Sequence, residues 1–138
     1  AYKVLKRVNL SKFYSKMPNE ASGGMQKRVA IARAIVNNPK YLFCDEPNSG
    51  LDPKTAIVID NLINEITKEY EMVTVINSHD MNSVMEIGEK IIFLKNGEKK
   101  WEGSKENIFE TENLAVTDFV YSSNLFKKVR NQFLTTKS

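Results

Sequence analysis

The sequence has a single cysteine, a net charge of only +3 and no long apolar run. Cys44 has no second cysteine to pair with, so a disulfide framework is excluded, and we interpret this thiol as a small buried apolar group in a reducing compartment. No stretch approaches the roughly 18 apolar residues of a membrane-spanning helix, and no signal-peptide pattern opens the chain. Because 20 Lys and Arg are dispersed among 17 Asp and Glu, charge alone does not indicate a nucleic-acid partner.

The composition of the 138 residues, 41% hydrophobic and 27% charged, is typical of one globular domain. A helix is predicted from about 22 to 37, and a second helix from 53 to about 69 lies between the apolar runs "YLFC" (41–44) and "MVTVIN" (72–77). Both runs read as buried strands, so their order predicts a parallel βαβ unit with a right-handed crossover. The apolar faces expected for the two helices are Met25, Val29, Ala32 and Val36, and Ile59, Leu62, Ile63, Ile66 and Tyr70.

Shorter elements are expected on either side of this unit. Residues 1–10 resemble the end of an amphipathic helix, and 90–103 form a hairpin around Asn96-Gly97, a type I′ turn signal. Two short helices are predicted from Ser104 and Glu112. The basic amphipathic end that follows could pack on its own domain or dock on another subunit; its apolar stripe is Phe119, Val120, Leu125, Phe126 and Val129.

Polar side chains follow both predicted strands. Asp45 and Glu46 end the first strand, while Ser78, His79 and Asp80 end the second. In parallel sheets the carboxyl ends of neighbouring strands open into one crevice. Adjacent acids repel each other at such a place unless a positive group compensates, so the pattern indicates a site for a metal-bound phosphate and an attacking water.

A second candidate site is the turn Ser22-Gly23-Gly24 at the start of a helix. Its backbone N–H groups and the helix dipole favour an anion. Each candidate has a simpler alternative: Ser22 to Gly24 and Asp52 could be helix caps, His79 a turn residue, and Asp45-Glu46 a solvated turn. Lys27, Arg28 and Arg33 are assigned to the solvated face of the helix.

Four motifs carry a family resemblance. "ASGGMQKRVAIARAI" (21–35) resembles the signature motif and following helix of the ATPase subunits of ABC transporters, and "YLFCDEP" resembles their Walker B strand with its catalytic glutamate. "SGLD" (49–52) resembles their D-loop, and His79 in "NSHD" is similar to their switch histidine. If the resemblance were due to chance, four separate matches would have to occur in the order that the family has. The chain therefore resembles the C-terminal half of such a domain.

The resemblance implies a role for each residue near the strand ends. Asp45 would hold Mg²⁺ through water, Glu46 would polarise the attacking water, and His79 would contact the γ-phosphate of ATP. The positive group expected beside Asp45 and Glu46 would then be the magnesium that arrives with the nucleotide. Glu46 and His79 are the implied catalytic residues.

The same resemblance places the other residues at a subunit boundary. Ser22, Gly23 and Gly24 would bind the γ-phosphate of a nucleotide held by the opposite subunit, and Asp52 would help to join the two subunits. The fold implied is an α/β P-loop NTPase of the ABC type, present in part. Its parts would be the end of a helical subdomain with the signature helix (1–38), the ATPase core with the hairpin (39–103) and a C-terminal helical extension (104–138).

The function implied is that of an ATP-hydrolysing subunit. It would work as a head-to-tail homodimer with ATP and Mg²⁺, bound to integral membrane permease subunits at the cytoplasmic face of the inner membrane, without inserting into the membrane and without nucleic acid. Met25, the lead-in "KMPNEASGGM" and "AIARAI" are most similar to phospholipid importers of the bacterial envelope. Alternatives are an amino-acid or osmolyte importer, a soluble ABC-type ATPase of DNA repair or translation, and a non-catalytic interaction fragment.

Departures from the family pattern also matter. Met25 replaces a common glutamine, and a thioether cannot donate a hydrogen bond to a ribose. None of the six glycines is followed by lysine, so the phosphate loop G-x-x-x-x-G-K-[ST] is missing, as is the glutamine that precedes the signature. The chain also begins with Ala1. We therefore expect a partial domain that does not hydrolyse ATP by itself.

Overall fold

The computed structural model describes residues 2–15 and 17–122, which divide after Ile87 into two compact units. Within these ranges, none of the helices combines the length and apolar character needed to traverse a bilayer. The elements of the first unit are α1 (Tyr2–Arg7), 3-10 turns at Ser11–Phe13 and Pro18–Glu20, α2 (Gly23–Ile35), β1 (Tyr41–Asp45), α3 (Pro53–Glu69), β2 (Val73–Asn77) and α4 (Met81–Ile87).

The predicted βαβ unit is confirmed. β1 and β2 pair in parallel with Tyr41 opposite Val73 and Asp45 opposite Asn77, and α3 is the crossover between them. Asp52 and Pro53 begin α3 as cap and first helical residue. Because the two strands are in register from first to last residue, their carboxyl ends lie side by side.

The stripe predicted for α3 is the centre of the core. Ile59, Leu62, Ile63 and Ile66 are at most 5% exposed, while Tyr70 is only half-buried at the helix end. This stripe packs with α2, with Leu42 of β1 and with residues that follow α1 and α3. The buried core residues of the first unit are Val8, Leu10, Ile31, Ala32, Ile35, Leu42, Ile59, Leu62, Ile63, Ile66 and Met72.

The predicted apolar face of α2 is confirmed for Ala32, which is buried, and for Met25, which is partly buried against the core, but it is wrong for Val29 and Val36. Ile31, Ala32 and Ile35 are buried, whereas Val29 and Val36 are 39% and 46% exposed. Burying two isoleucines removes more apolar surface from water than burying two valines, so the helix is rotated toward the isoleucines. Arg28 is also not fully solvated, because its guanidinium donates to the carbonyl of Val8 at 3.2 Å; Arg33 is exposed as expected.

The two strands bury one face only, although both were predicted to be buried. Helices pack on the inner face, where Leu42 is 5% exposed and Cys44 is half-buried. The outer face, defined as Tyr41, Phe43, Val73 and Val75, is 51% to 75% exposed. In the described part of the chain this sheet has two strands, and their side chains alternate between a covered and an uncovered side.

The second unit contains β3 (Ile91–Lys95), β4 (Glu98–Gly103), a 3-10 turn (Asn107–Phe109) and α5 (Leu114–Val120). β3 and β4 are antiparallel, and Asn96 and Gly97 have φ of 55° and 76°, so the predicted hairpin with a type I′ turn is confirmed. The helix predicted from Ser104 is a single 3-10 turn, and the one predicted from Glu112 is α5. Leu125, Phe126 and Val129 of the predicted apolar end lie outside the described residues.

Candidate functional site

The carboxyl ends of β1 and β2 bring two polar side chains into contact. Asp45 and Asn77 are register partners, and the Asn77 amide donates to Asp45 Oδ1 at 2.6 Å. Asp45 was predicted as a site residue but Asn77 was not. The sequence could have predicted Asn77, because it is the last residue of its strand, as Asp45 is of the other. Parallel pairing places such residues side by side.

Glu46 and His79 are also brought together. Glu46 Oε1 lies 2.7 Å from His79 Nδ1 and accepts a 3.2 Å hydrogen bond from the His79 backbone N–H. The hydrogen bond that the Glu46 carboxylate accepts from the His79 side chain, aided by the carboxylate charge, raises the pKa of His79 above its ordinary value. The backbone of Glu46 has φ of 45°, a left-handed conformation that is uncommon for residues other than glycine and concentrates at functional sites.

A basic side chain reaches the same turn from α2. Lys27 Nζ lies 3.1 Å from the backbone oxygen of Glu46, so its assignment to the solvated face of the helix is wrong. An ammonium group at this carbonyl orients the peptide between strand and loop. Lys27 is therefore a positive group of the chain itself at the turn that carries the two acids, in addition to any bound metal.

Ser22 and Asp52 both cap helices. Ser22 Oγ accepts from the Met25 N–H at 3.3 Å, and Asp52 Oδ1 accepts from the Thr55 N–H at 3.0 Å. Hydrogen bonding to Thr55 lowers the pKa of Asp52. The simpler alternative considered for these residues is therefore part of the structure, and any contact of Ser22 or Asp52 with a nucleotide or a second subunit stays a prediction.

The glycine pair permits a close approach between α2 and the start of α3. A Cβ added at Gly24 would lie 2.8 Å from Thr55 Cγ2, and one at Gly23 would lie 3.3 Å from Leu51 Cδ2. The first distance is too short for non-bonded carbons. Packing therefore favours glycine at position 24 independently of any ligand, because the absence of a side chain lets the start of α2 lie close to the segment 51–55.

Sequence reasoning missed a buried polar cluster next to this site, formed by Asn48, Asp60 and Ser83. The three residues are 6%, 2% and 5% exposed. The Asn48 amide lies 3.2 Å from both carboxylate oxygens of Asp60 and 2.6 Å from Ser83 Oγ. The cluster connects the loop 46–52 to α3 and α4.

The donors at the strand ends fit magnesium better than a metal held by protein alone. Over residues 2–15 and 17–122, no group of three or more His, Cys, Asp and Glu side chains could hold an ion. Asp45 offers one exposed carboxylate. Mg²⁺ usually binds through one or two carboxylates, waters and substrate phosphates, so Asp45 is suited to a magnesium ion that arrives with a nucleotide.

Comparison with known sequences points to one family. The family model described as "ABC transporter" matches residues 1–49. The chain is 42% identical over 103 residues to a phosphonates import ATP-binding protein of a Synechococcus species, covering 75% of this chain and 38% of that protein. It is 38% identical over 125 residues to a methionine import ATP-binding protein of Latilactobacillus sakei, covering 91% and 36%. The chain thus spans about two-fifths of the length of these relatives.

Solved structures agree with this result. A nucleotide-free ATP-binding cassette from an ABC transporter superposes with a TM-score of 0.78 at 29% identity, covering 86% of this chain and 47% of that chain. A dimeric ATP-binding cassette in a post-hydrolysis state with ADP and Pi superposes with a TM-score of 0.64 at 41% identity, covering 74% and 44%. The predicted α/β fold of the ABC type, present in part, is confirmed.

Proposed function

We propose that this chain, which is part of an ABC transporter ATP-binding domain, belongs to a subunit that hydrolyses ATP to drive transport. The observation that carries the proposal is the pairing at the strand ends. Parallel register places Asp45 beside Asn77, and the turn that follows directs the Glu46 carboxylate to within 2.7 Å of His79. A magnesium ligand, a base and an imidazole at one edge are the groups that phosphoryl transfer to water needs.

In this proposal each of the three residues has its own task. Asp45 holds the magnesium through water, with its carboxylate oriented by Asn77. Glu46 accepts a proton from the attacking water, and His79 contacts the γ-phosphate. Bound magnesium supplies charge neutralisation for the phosphates. Because a carboxylate has two oxygens, Glu46 can keep its Oε1 contact with His79 and accept from the attacking water at its other oxygen.

Ser22, Gly23 and Gly24 are assigned to the nucleotide of the opposite subunit, and Asp52 to the junction between the subunits. Support comes from the ATP-binding cassette of known structure that is dimeric. The cap made by Ser22 does not conflict with this role, because its hydroxyl can accept from Met25 N–H and still donate to a phosphate oxygen. Such a sandwich would form only between whole subunits.

The substrate proposed is a small solute taken up by an importer. The relatives named above import phosphonates and methionine, and another similar protein, from Fusobacterium nucleatum, imports Fe³⁺ ions. These relatives favour the alternative of an amino-acid or similar importer over the phospholipid importer expected from Met25 and its flanks. Permease subunits in the membrane, and a peripheral position on its cytoplasmic face, complete the proposal.

Substitution of the proposed base in the whole subunit tests the chemistry. Glu46→Gln preserves shape but weakens the base, so it should bind ATP normally and hydrolyse it at least ~100-fold more slowly. Asp45→Asn should instead weaken the magnesium site and raise the magnesium concentration needed for half-maximal hydrolysis. Normal hydrolysis by Glu46→Gln would overturn the assignment. The 138-residue chain alone should not hydrolyse ATP, since it has no G-x-x-x-x-G-K-[ST] loop.

A mixed dimer tests the role across the subunit boundary. With Glu46→Gln on one subunit and Ser22→Arg on the other, both changes fall in one shared site and the second site stays intact. With both changes on one subunit, each site is damaged. Single-turnover hydrolysis should therefore be higher for the split arrangement, and equal hydrolysis in the two arrangements would show that Ser22 does not act across the boundary.

A further inference from the structure

Asp60 is a buried acid in the middle of the apolar stripe of α3. It is 2% exposed and is flanked in the helix by the core residues Ile59 and Ile63. Burial raises the pKa of Asp60, while hydrogen bonds from Ser83 and Asn48 oppose that shift. An acid at such a position costs stability relative to an apolar residue unless its partners compensate.

The partners of Asp60 come from two segments that carry proposed catalytic residues. Asn48 belongs to the loop 46–52, in which the Ser49 N–H donates to the Glu46 carbonyl at 3.2 Å. Ser83 belongs to α4, and its hydroxyl lies 3.4 Å from Asp80 Oδ2, one residue after His79. The Asn48 amide contacts both Asp60 and Ser83. The cluster therefore joins the segment that begins at Glu46 to the segment that begins at His79.

We propose that Asp60 is a positioning residue for ATP hydrolysis, which acts through Asn48 and Ser83 to fix the Glu46 carboxylate relative to the His79 imidazole. This inference rests on the proposed function. Asp60 touches neither a nucleotide nor the reacting water; it restrains the two backbone segments from which Glu46 and His79 extend. A buried and fully paired cluster gives one preferred separation, which an apolar core residue at position 60 would not specify.

Turnover in the whole subunit is the first test. Asp60→Leu removes the acid at similar volume and leaves Asn48 and Ser83 without it. We expect kcat for ATP to fall at least about tenfold with KM changed less than about twofold, since a misplacement of about 1 Å can cost ~100-fold. Asp60→Asn retains part of the hydrogen bonding and should give an intermediate kcat.

The matched control is Ile66→Ala, a fully buried residue of the same helix outside the cluster. It should lose stability without losing kcat when assayed well below its melting temperature. If Asp60→Leu and Ile66→Ala show the same kcat at equal folded fraction, Asp60 is structural only and the proposal is wrong. If Asp60→Leu does not fold, Asp60→Asn and Asn48→Ala take its place in the comparison.

Titration of His79 in the chain itself supplies a test independent of ATP hydrolysis. Asn48→Ala changes no charge, so any effect on His79 must pass through geometry. We expect the NMR-measured pKa of His79 to fall toward its ordinary value in Asn48→Ala, because the contact with Glu46 loosens. An unchanged pKa of His79 would overturn the positioning role. If the pKa falls as expected but the whole subunit has no ATPase activity, only the proposed function is refuted.

Discussion

Two exposed parts of the same pair of strands differ in how the chain organises them. At the carboxyl edge, Asp45 is held by Asn77 and the Glu46 carboxylate by His79, at 2.6 and 2.7 Å. On the outer face, Phe43 and its register partner Val75 are 75% and 51% exposed. The edge is polar and its side chains bind each other, whereas the outer face is apolar and largely uncovered.

The polar side chains at the carboxyl edge already have hydrogen-bond partners, whereas the apolar side chains of the outer face are largely exposed to solvent. Polar side chains at the edge can be satisfied by each other and by water, so their geometry exists before any ligand binds. An apolar face gains free energy only when other apolar surface covers it, at about 25 cal/mol per Å². We therefore expect the edge to behave as a preformed site and the outer face to respond to whatever apolar surface it meets.

The largest effect should come from comparing neighbours on opposite sides of β1. Leu42→Ala removes a core side chain and should lower the free energy of unfolding by about 2–5 kcal/mol. Phe43→Ala removes an exposed ring and should change it by less than about 1 kcal/mol. Urea unfolding of the chain measures both. Equal losses of unfolding free energy in the two variants would mean that the outer face is covered in solution. The contrast between the two faces would then be wrong.

A smaller effect is expected on self-association. Because the outer face is apolar and, over residues 2–15 and 17–122, β1 and β2 pair only with each other, the chain should associate at high concentration. Phe43→Lys with Val75→Lys should raise the dissociation constant at least ~10-fold, as each side chain contributes about 1.5 kcal/mol or more when buried. Sedimentation over a wide concentration range provides the measurement.

Leu114→Lys is the control for association, because Leu114 is 76% exposed but lies in the second unit. Its effect should be much smaller than that of the paired change on the outer face. An unsubstituted chain that stays monomeric throughout the concentration range would contradict the prediction directly.

Thiol chemistry provides a third and finer comparison of the two faces. Cys44 lies half-buried on the inner face, and burial raises the pKa of its thiol. Because the thiolate is the reactive form, labelling at pH 8 should be at least ~10-fold slower than for a Phe43→Cys, Cys44→Ser variant. Equal labelling rates would show that a thiol on the inner face is as accessible to the reagent as a thiol on the outer face.

How far the sequence predicts the fold is seen in the two long helices. The α3 stripe recurs at helical spacing over about two turns, so its buried side was predicted correctly from Ile59 to Ile66, although Ile57 and Val58 of the same helix are apolar and exposed. In α2, apolar residues lie on two sides, and periodicity alone could not choose Ile31 and Ile35 over Val29 and Val36. Contacts with other elements decide that choice.

The candidate site shows the same limit. Asp45, Glu46 and His79 follow strands, so strand prediction and motif order were enough to place them at one edge. Asn77, Lys27 and the cluster around Asp60 depend on register, on helix rotation and on the path of a loop. Asp60 did leave a signal, because an acid between Ile59 and Ile63 in an apolar stripe indicates a buried partner.

The smallest effect concerns the edge itself and uses the one histidine of the chain. The Glu46 carboxylate raises the pKa of His79, so NMR titration should give a value above the ordinary ~6.5, and Glu46→Gln should lower it. Since the folded pKa exceeds the unfolded one, the stabilising contribution is fully present below about pH 6.5 and is lost as pH rises through the folded pKa. Glu46→Gln should abolish that slope. His79 is exposed, so the slope should be shallow and weaken with salt; a His79 pKa unaffected by Glu46→Gln would show that the edge is not preformed in solution.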